Sequence, residues 1–137
     1  MKVRELHRVP NCKIGRVNKR NIKVEPHEDS TALYLTQFGF DIDIIEPRNT
    51  NKARTADIMM SGVMWEMKSP TSNNRATIKS VFRKAASQSD HIIFDLRRVK
   101  NHDKDVEKQL LTIFSGRGRV KKLMIIRQNG ELLEFSK

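Results

Sequence analysis

Residues 55–69 read TADIMMSGVMWEMKS, two apolar runs on either side of Ser61-Gly62, a pair of turn residues. The pattern predicts two antiparallel strands joined by a two-residue turn. Met60 then faces Val63, Met59 faces Met64, Ile58 faces Trp65, and Asp57 faces Glu66. Side chains alternate along a strand, so Glu66 and Lys68 share a face, with Asp57 directly across from Glu66. Ile58, Met60, Val63, Trp65 and Met67 form the other face, which is apolar throughout.

Opposed residues of an antiparallel pair have Cβ atoms roughly 4.5–5.5 Å apart, and two carboxylates held there repel each other. A divalent cation between them removes that repulsion. Hard cations such as Mg2+ take carboxylate oxygens together with water and substrate phosphate. Lys68 adds positive charge where an attacked phosphoryl group needs it. The set therefore has the chemistry of phosphodiester cleavage. The same residues also suit an exposed hairpin face on which Lys68 screens two acids. In a chain with 31% charged residues, D-x8-E-x-K alone does not separate the two.

The 137 residues suffice for one domain with a single moderate core. No apolar run reaches the roughly 18 residues that span a membrane, and MKVRELHRVPNCK (residues 1–13) lacks the apolar segment of a signal peptide. No membrane partner is expected. Cys12 is the only cysteine, which excludes an intramolecular disulfide and a cysteine-based zinc site. The net charge is +11 and the pI about 10.2, a balance that calls for a polyanionic partner. Residues 1–24 hold eight Lys/Arg, Arg16, Lys19 and Arg20 among them, against Glu5 alone. That excess, with no amphipathic helix beside it, favours nucleic acid over a membrane surface.

Residues 1–24 alternate basic and aliphatic positions around Pro10 and Gly15, as a basic arm or short strands do; residues 25–137 form the single folded domain. A helix is predicted from about Glu28 to Phe38, before Gly39. Glu28 is there either a first-turn acid favoured by the helix dipole or a third acid aimed at the hairpin. FDIDII (residues 40–45) alternates as a strand, with Asp41 and Asp43 facing solvent. The polar loop EPRNTNKAR (46–54) brings Arg54 beside the hairpin. RATIKSVFRKAASQS (75–89) is an amphipathic helix. Ile78, Val81, Phe82 and Ala85 mark its buried side, and Arg75, Lys79 and Arg83 form a basic stripe that fits a phosphate backbone or simply a solvated face. HIIFDL (91–96) suits a central strand, with Arg97 and Arg98 at its end, where α/β folds place substrate groups. A helix over 103–114 and a hairpin about Asn129-Gly130 complete the chain. The expected fold is α/β or α+β, a mixed central sheet flanked by helices. The four histidines are scattered, and neither GxSxG nor GxxxxGK[ST] occurs.

Helix, strand, Asp57 and Glu66-x-Lys68 on a hairpin, then helix and strand, resemble the restriction-endonuclease-like core of the PD-(D/E)xK nuclease superfamily. More narrowly, HEDSTALYL, TADIMMSGVMWEMKSPT and QSDHIIFDLRR resemble the CdiA C-terminal tRNase domain, a toxin module of contact-dependent growth inhibition. The likeness runs from about Val24 to the C-terminus. It implies that Asp57 and Glu66 bind Mg2+ or Mn2+, that Lys68 assists the attacking water, and that Glu28 completes the set. It also implies tRNA as substrate, an acidic immunity protein as partner, and action in the bacterial cytoplasm after delivery within a secreted toxin. Arg16, Lys19, Arg20, Arg54, Arg75, Lys79, Arg97 and Arg98 are the expected phosphate contacts. Three positions depart from the pattern or match it loosely: Ala56 replaces the proline of the motif, Ser30-Thr31-Ala32 stands where relatives read ETA, and Gln88 falls where they carry a polar residue near the site. A DNA endonuclease of a mobile element and a non-catalytic nucleic-acid-binding protein are the alternatives.

Overall fold

The computed structural model describes residues 1–46, 56–100, 104–116 and 118–137. Its frame is one mixed sheet in the order β1-β8-β7-β6-β5-β4-β3-β2. The strands are β1 (Lys2–Leu6), β2 (Val17–Asn18), β3 (Ile42–Ile44), β4 (Ile58–Met60), β5 (Val63–Lys68), β6 (His91–Asp95), β7 (Lys122–Ile126) and β8 (Leu132–Ser136). Three helices, α1 (Pro26–Thr36), α2 (Arg75–Gln88) and α3 (Lys104–Ser115), pack on it. The expected mixed sheet flanked by helices is the architecture found. The loop holding Arg54 lies outside the described residues.

The deciding hairpin has the predicted register, with Ile58 paired to Trp65, Met59 to Met64 and Met60 to Val63. Ser61 and Gly62 take φ values of +54° and +75°, the two positive values of the tight hairpin turn whose twist matches the strands. Next to it, β5, β6 and β7 run parallel, and α2 and α3 supply the two crossovers between them. The residues of β6 are buried on both sheet faces: Ile92 and Phe94 face α2 and α3, while Ile93 faces α1.

Two cores result. Ile78, Phe82 and Ala85 of α2 meet Leu110 and Phe114 of α3 over Ile92, Phe94, Leu123 and Ile125. On the opposite face, Ala32 and Leu35 of α1 cover Ile58, Met60, Trp65 and Met67 of the hairpin. Asn74 caps α2, its side chain accepting from Ala76 N at 3.0 Å and Thr77 N at 3.1 Å. The first helix begins and ends two residues earlier than the apolar spacing predicts, because Pro26 takes its first position and Gln37 its C-cap. Asp41 and Asp43 are solvent-facing, as expected.

Residues 1–24 border the sheet at both edges. β1 pairs antiparallel with β8, and β2 parallel with β3. The chain crosses between those edges past Gly15, where a Cβ would stand 1.7 Å from the Phe40 carbonyl oxygen. Among the described residues no helix is long and apolar enough to cross a membrane. Because backbone rather than a flexible side chain occupies that space, Gly15→Ala should lower stability by about 2 kcal/mol or more. Urea unfolding measures it, and an unchanged midpoint would refute the close approach.

Candidate active site

The hairpin delivers two acids and a lysine to one place. Asp57 immediately precedes β4, and its Oδ2 accepts from Met67 N at 2.9 Å. Its own N–H donates to the Trp65 carbonyl at 3.1 Å. These bonds bracket Glu66 and hold the Asp57 carboxylate against β5. Glu66 is 4% exposed. Lys68 Nζ stands 3.2 Å from Glu66 Oε2, whereas Glu66 Oε1 is buried without a hydrogen-bond partner.

A half-satisfied buried carboxylate cannot hold its charge easily. Burial and then the neighbouring Asp57 push Glu66 up to about 8, and Lys68 opposes them without offsetting them. Glu28, in the first turn of α1, is also raised, by burial first and then by Asp57, with Lys68 pulling the other way. The structure thus places Glu28 and Glu66 each within electrostatic reach of Asp57 and Lys68. Among the described residues no three His, Cys, Asp or Glu side chains converge as a ready metal cage. An unpartnered oxygen of a buried acid beside a second carboxylate fits a hard cation that keeps water and substrate oxygens in its remaining positions.

The predicted phosphate contacts divide. Pairing of β2 with β3 and of β3 with β4 directs the C-terminal end of β2 toward the Asp57 end of the sheet. Arg20 follows it, exposed, and Arg16 precedes it, also exposed; Lys19 reaches Asp29 of α1 at 2.7 Å. Arg75 and Lys79 lie exposed on α2. Arg98 Nη1 donates to the Ser69 carbonyl at 3.0 Å, close behind Lys68. Arg97 is engaged internally instead. Its Nη2 is 2.7 Å and its Nε 2.9 Å from the carboxylate of Asp95, and its guanidinium lies 4.1 Å over the Tyr34 ring. Gln88 ends α2 beside Ser89, whose hydroxyl donates to the Met64 carbonyl, toward the turn end of β5.

Asp95 is the residue that sequence reasoning missed. It is 2% exposed and accepts from Thr31 Oγ1 at 2.7 Å as well as from Arg97. The Thr31 hydrogen bond ties the end of β6 to α1 about one turn past Glu28. Its signal in the sequence is a lone acid at the end of the apolar run HIIFD, followed by Arg97 two residues on.

The raised Glu66 has a measurable consequence. In the unfolded chain this carboxyl ionises near its ordinary 4.5, in the folded protein near 8. Between those values the folded state holds the extra proton. Its contribution to stability is complete below about pH 4.5 and is lost as pH rises toward about 8, a fall on the order of a few kcal/mol. In metal-free buffer the urea midpoint should therefore drop from about pH 5 to about pH 8, and Glu66→Gln should flatten that drop. A slope identical in the variant would remove Glu66 as its source.

Comparison with known proteins bears on the fold and the family. A solved structure described as a CdiA-CT/CdiI toxin and immunity complex from Burkholderia pseudomallei is similar in fold, with a TM-score of 0.66 at 16% identity. The match covers 88% of this chain and 98% of that one. No curated protein matches the chain. The family described as the contact-dependent growth inhibition CdiA C-terminal domain matches residues 54–132, the stretch that carries Asp57, Glu66, Lys68 and Asp95. The chain belongs to the CdiA C-terminal domain family of contact-dependent growth inhibition.

Proposed function

We propose that this chain is a metal-dependent nuclease toxin of the PD-(D/E)xK type that cleaves tRNA. The observation that carries the reading is Glu66: a buried carboxylate with one unpartnered oxygen, beside Asp57 and 3.2 Å from Lys68. A purely structural acid in that position would cost stability without recompense.

Asp57 and Glu66 would hold Mg2+ or Mn2+, which supplies positive charge at the scissile phosphodiester. Glu66 must release its proton to do so, so substrate-independent metal affinity rises with pH toward about 8. Lys68 keeps an ammonium at the edge of this pair, where it orients the attacking water and balances charge developing on the phosphoryl oxygens. Glu28 approaches from α1 and adds an acceptor for a water proton. Arg16, Lys19, Arg20, Arg75, Lys79 and Arg98 supply cationic surface for phosphates, while Arg97 serves the site by holding Asp95. The structural neighbour is a complex of a toxin with its immunity protein. By analogy this chain has an immunity partner, acidic to match a charge of +11, and acts in the cytoplasm of the cell it enters.

Total tRNA and plasmid DNA, each incubated with the protein in Mg2+ or in EDTA, test the reading. Discrete tRNA fragments should form only with Mg2+, and Lys68→Ala should slow their formation on the order of 10²–10³-fold while leaving the circular dichroism spectrum unchanged. Cleavage of DNA alone would replace the substrate; cleavage of neither would remove the enzymatic reading. In cells, expression of the wild-type chain should arrest growth unless an immunity protein is co-expressed, and Glu66→Ala should relieve the arrest. Equal toxicity of that variant would separate growth inhibition from this site.

A further inference from the structure

We propose that the cavity between the start of α3 and the ends of β6 and β7 seats one base of the bound RNA strand, an inference that rests on the nuclease reading above. The cavity measures about 360 Å³, the size of a small ligand pocket. Its floor is apolar, formed by Leu96, Val99 and Val106, all nearly buried. One wall is the guanidinium of Arg127. Glu107 grips it through Nε at 2.8 Å and Nη2 at 3.3 Å, and Glu131 holds Nη1 at 3.2 Å. Three hydrogen bonds to two carboxylates fix the plane of that group and offset its charge. What remains is a rigid flat surface beside aliphatic side chains, the setting in which single-stranded RNA bases stack.

Lys104 and Lys108 also line the cavity, one turn apart on the exposed side of α3. They supply the phosphate contacts that a nucleotide requires and an uncharged apolar ligand does not. The position fits a substrate strand as well. Glu66 and Lys68 pair in register with Ile92 and Phe94, which face α2 and α3. The acids and the cavity therefore share a sheet face and the carboxyl end of its parallel strands. Leu96 stands two residues beyond Phe94, so its backbone lies roughly 8 Å from that of Lys68 by strand spacing and rise. A base seated there belongs to a nucleotide near the scissile phosphate, flipped out of its stack.

Methyl NMR of Leu96, Val99 and Val106 in metal-free buffer, with each of the four nucleoside 5′-monophosphates, reads the cavity without requiring cleavage. At least one monophosphate should shift these methyls saturably in the millimolar range. A short oligoribonucleotide should displace it at lower concentration, and Lys104→Ala/Lys108→Ala should weaken binding about fivefold or more. The inference is overturned by methyls that do not move, by shifts equal to those given by inorganic phosphate, or by binding unchanged in the double variant. Tighter binding of a nucleoside triphosphate than of the oligonucleotide would also overturn it, by making the cavity a free-nucleotide site. Because these shifts do not depend on catalysis, a protein that binds the base and cuts nothing would fail the nuclease reading alone.

Discussion

The register of the hairpin formed by β4 and β5 is the constraint on which the rest depends. Side chains alternate with a period of two, so a slip of one residue would turn Glu66 and Lys68 into the face that packs on α1 and expel Trp65 and Met67 from it. Two things prevent the slip. Ser61 and Gly62 adopt the positive φ values of a two-residue turn, and Ile58, Met60, Trp65 and Met67 are each 5% exposed or less beneath α1. The hydrophobic effect fixes the face and the turn fixes the phase. The position of the acids follows from the burial of their neighbours.

That burial sets the electrostatics. Glu66 carries its charge only at the expense of desolvation, and Asp57 adds repulsion where water cannot screen it. Lys68 answers one oxygen and leaves the other unpartnered. In this the site differs from the Asp95–Arg97 pair on the adjacent strand. Asp95 is as buried, yet both of its oxygens are bonded, to Thr31 and to Arg97. One buried acid is fully satisfied and holds α1 to the sheet, and the other is left incomplete. Within a single sheet the contrast separates an acid that serves the fold from one whose geometry asks for a ligand.

The sheet, the hairpin register and the buried faces of α2 and β6 were legible because period-two and period-3.6 apolar patterns act locally and turn residues mark their limits. The acid–acid–lysine set was legible for the same reason, since Asp57, Glu66 and Lys68 lie on one hairpin. Glu28 could not be decided from spacing, because its nearness to Asp57 depends on how α1 docks over the other face of the sheet. The place of Arg97 at a strand end points to a phosphate contact, and nothing local reveals its commitment to Asp95 and Tyr34. Contacts such as Thr31 to Asp95, 64 residues apart, are products of tertiary packing and leave no periodic trace.

The net charge gains meaning from topology. Because β5, β6 and β7 run parallel, the residues that follow them gather at one end of the sheet: Ser69 behind Lys68, Arg97 and Arg98 behind β6, and Arg127 behind β7. Helix α2 begins there with Arg75 and α3 with Lys104, since each crossover starts where its strand stops. Lys19 and Arg20 reach the same end from β2. Three of these cations are paired with acids of the chain itself, Arg97 with Asp95, Arg127 with Glu107 and Glu131, and Lys19 with Asp29. The others lie at the end of the sheet that carries the carboxylates of Asp57 and Glu66. A basic rim about an acidic centre is the arrangement on which the proposed function rests, the rim for a polyanion and the centre for a cation.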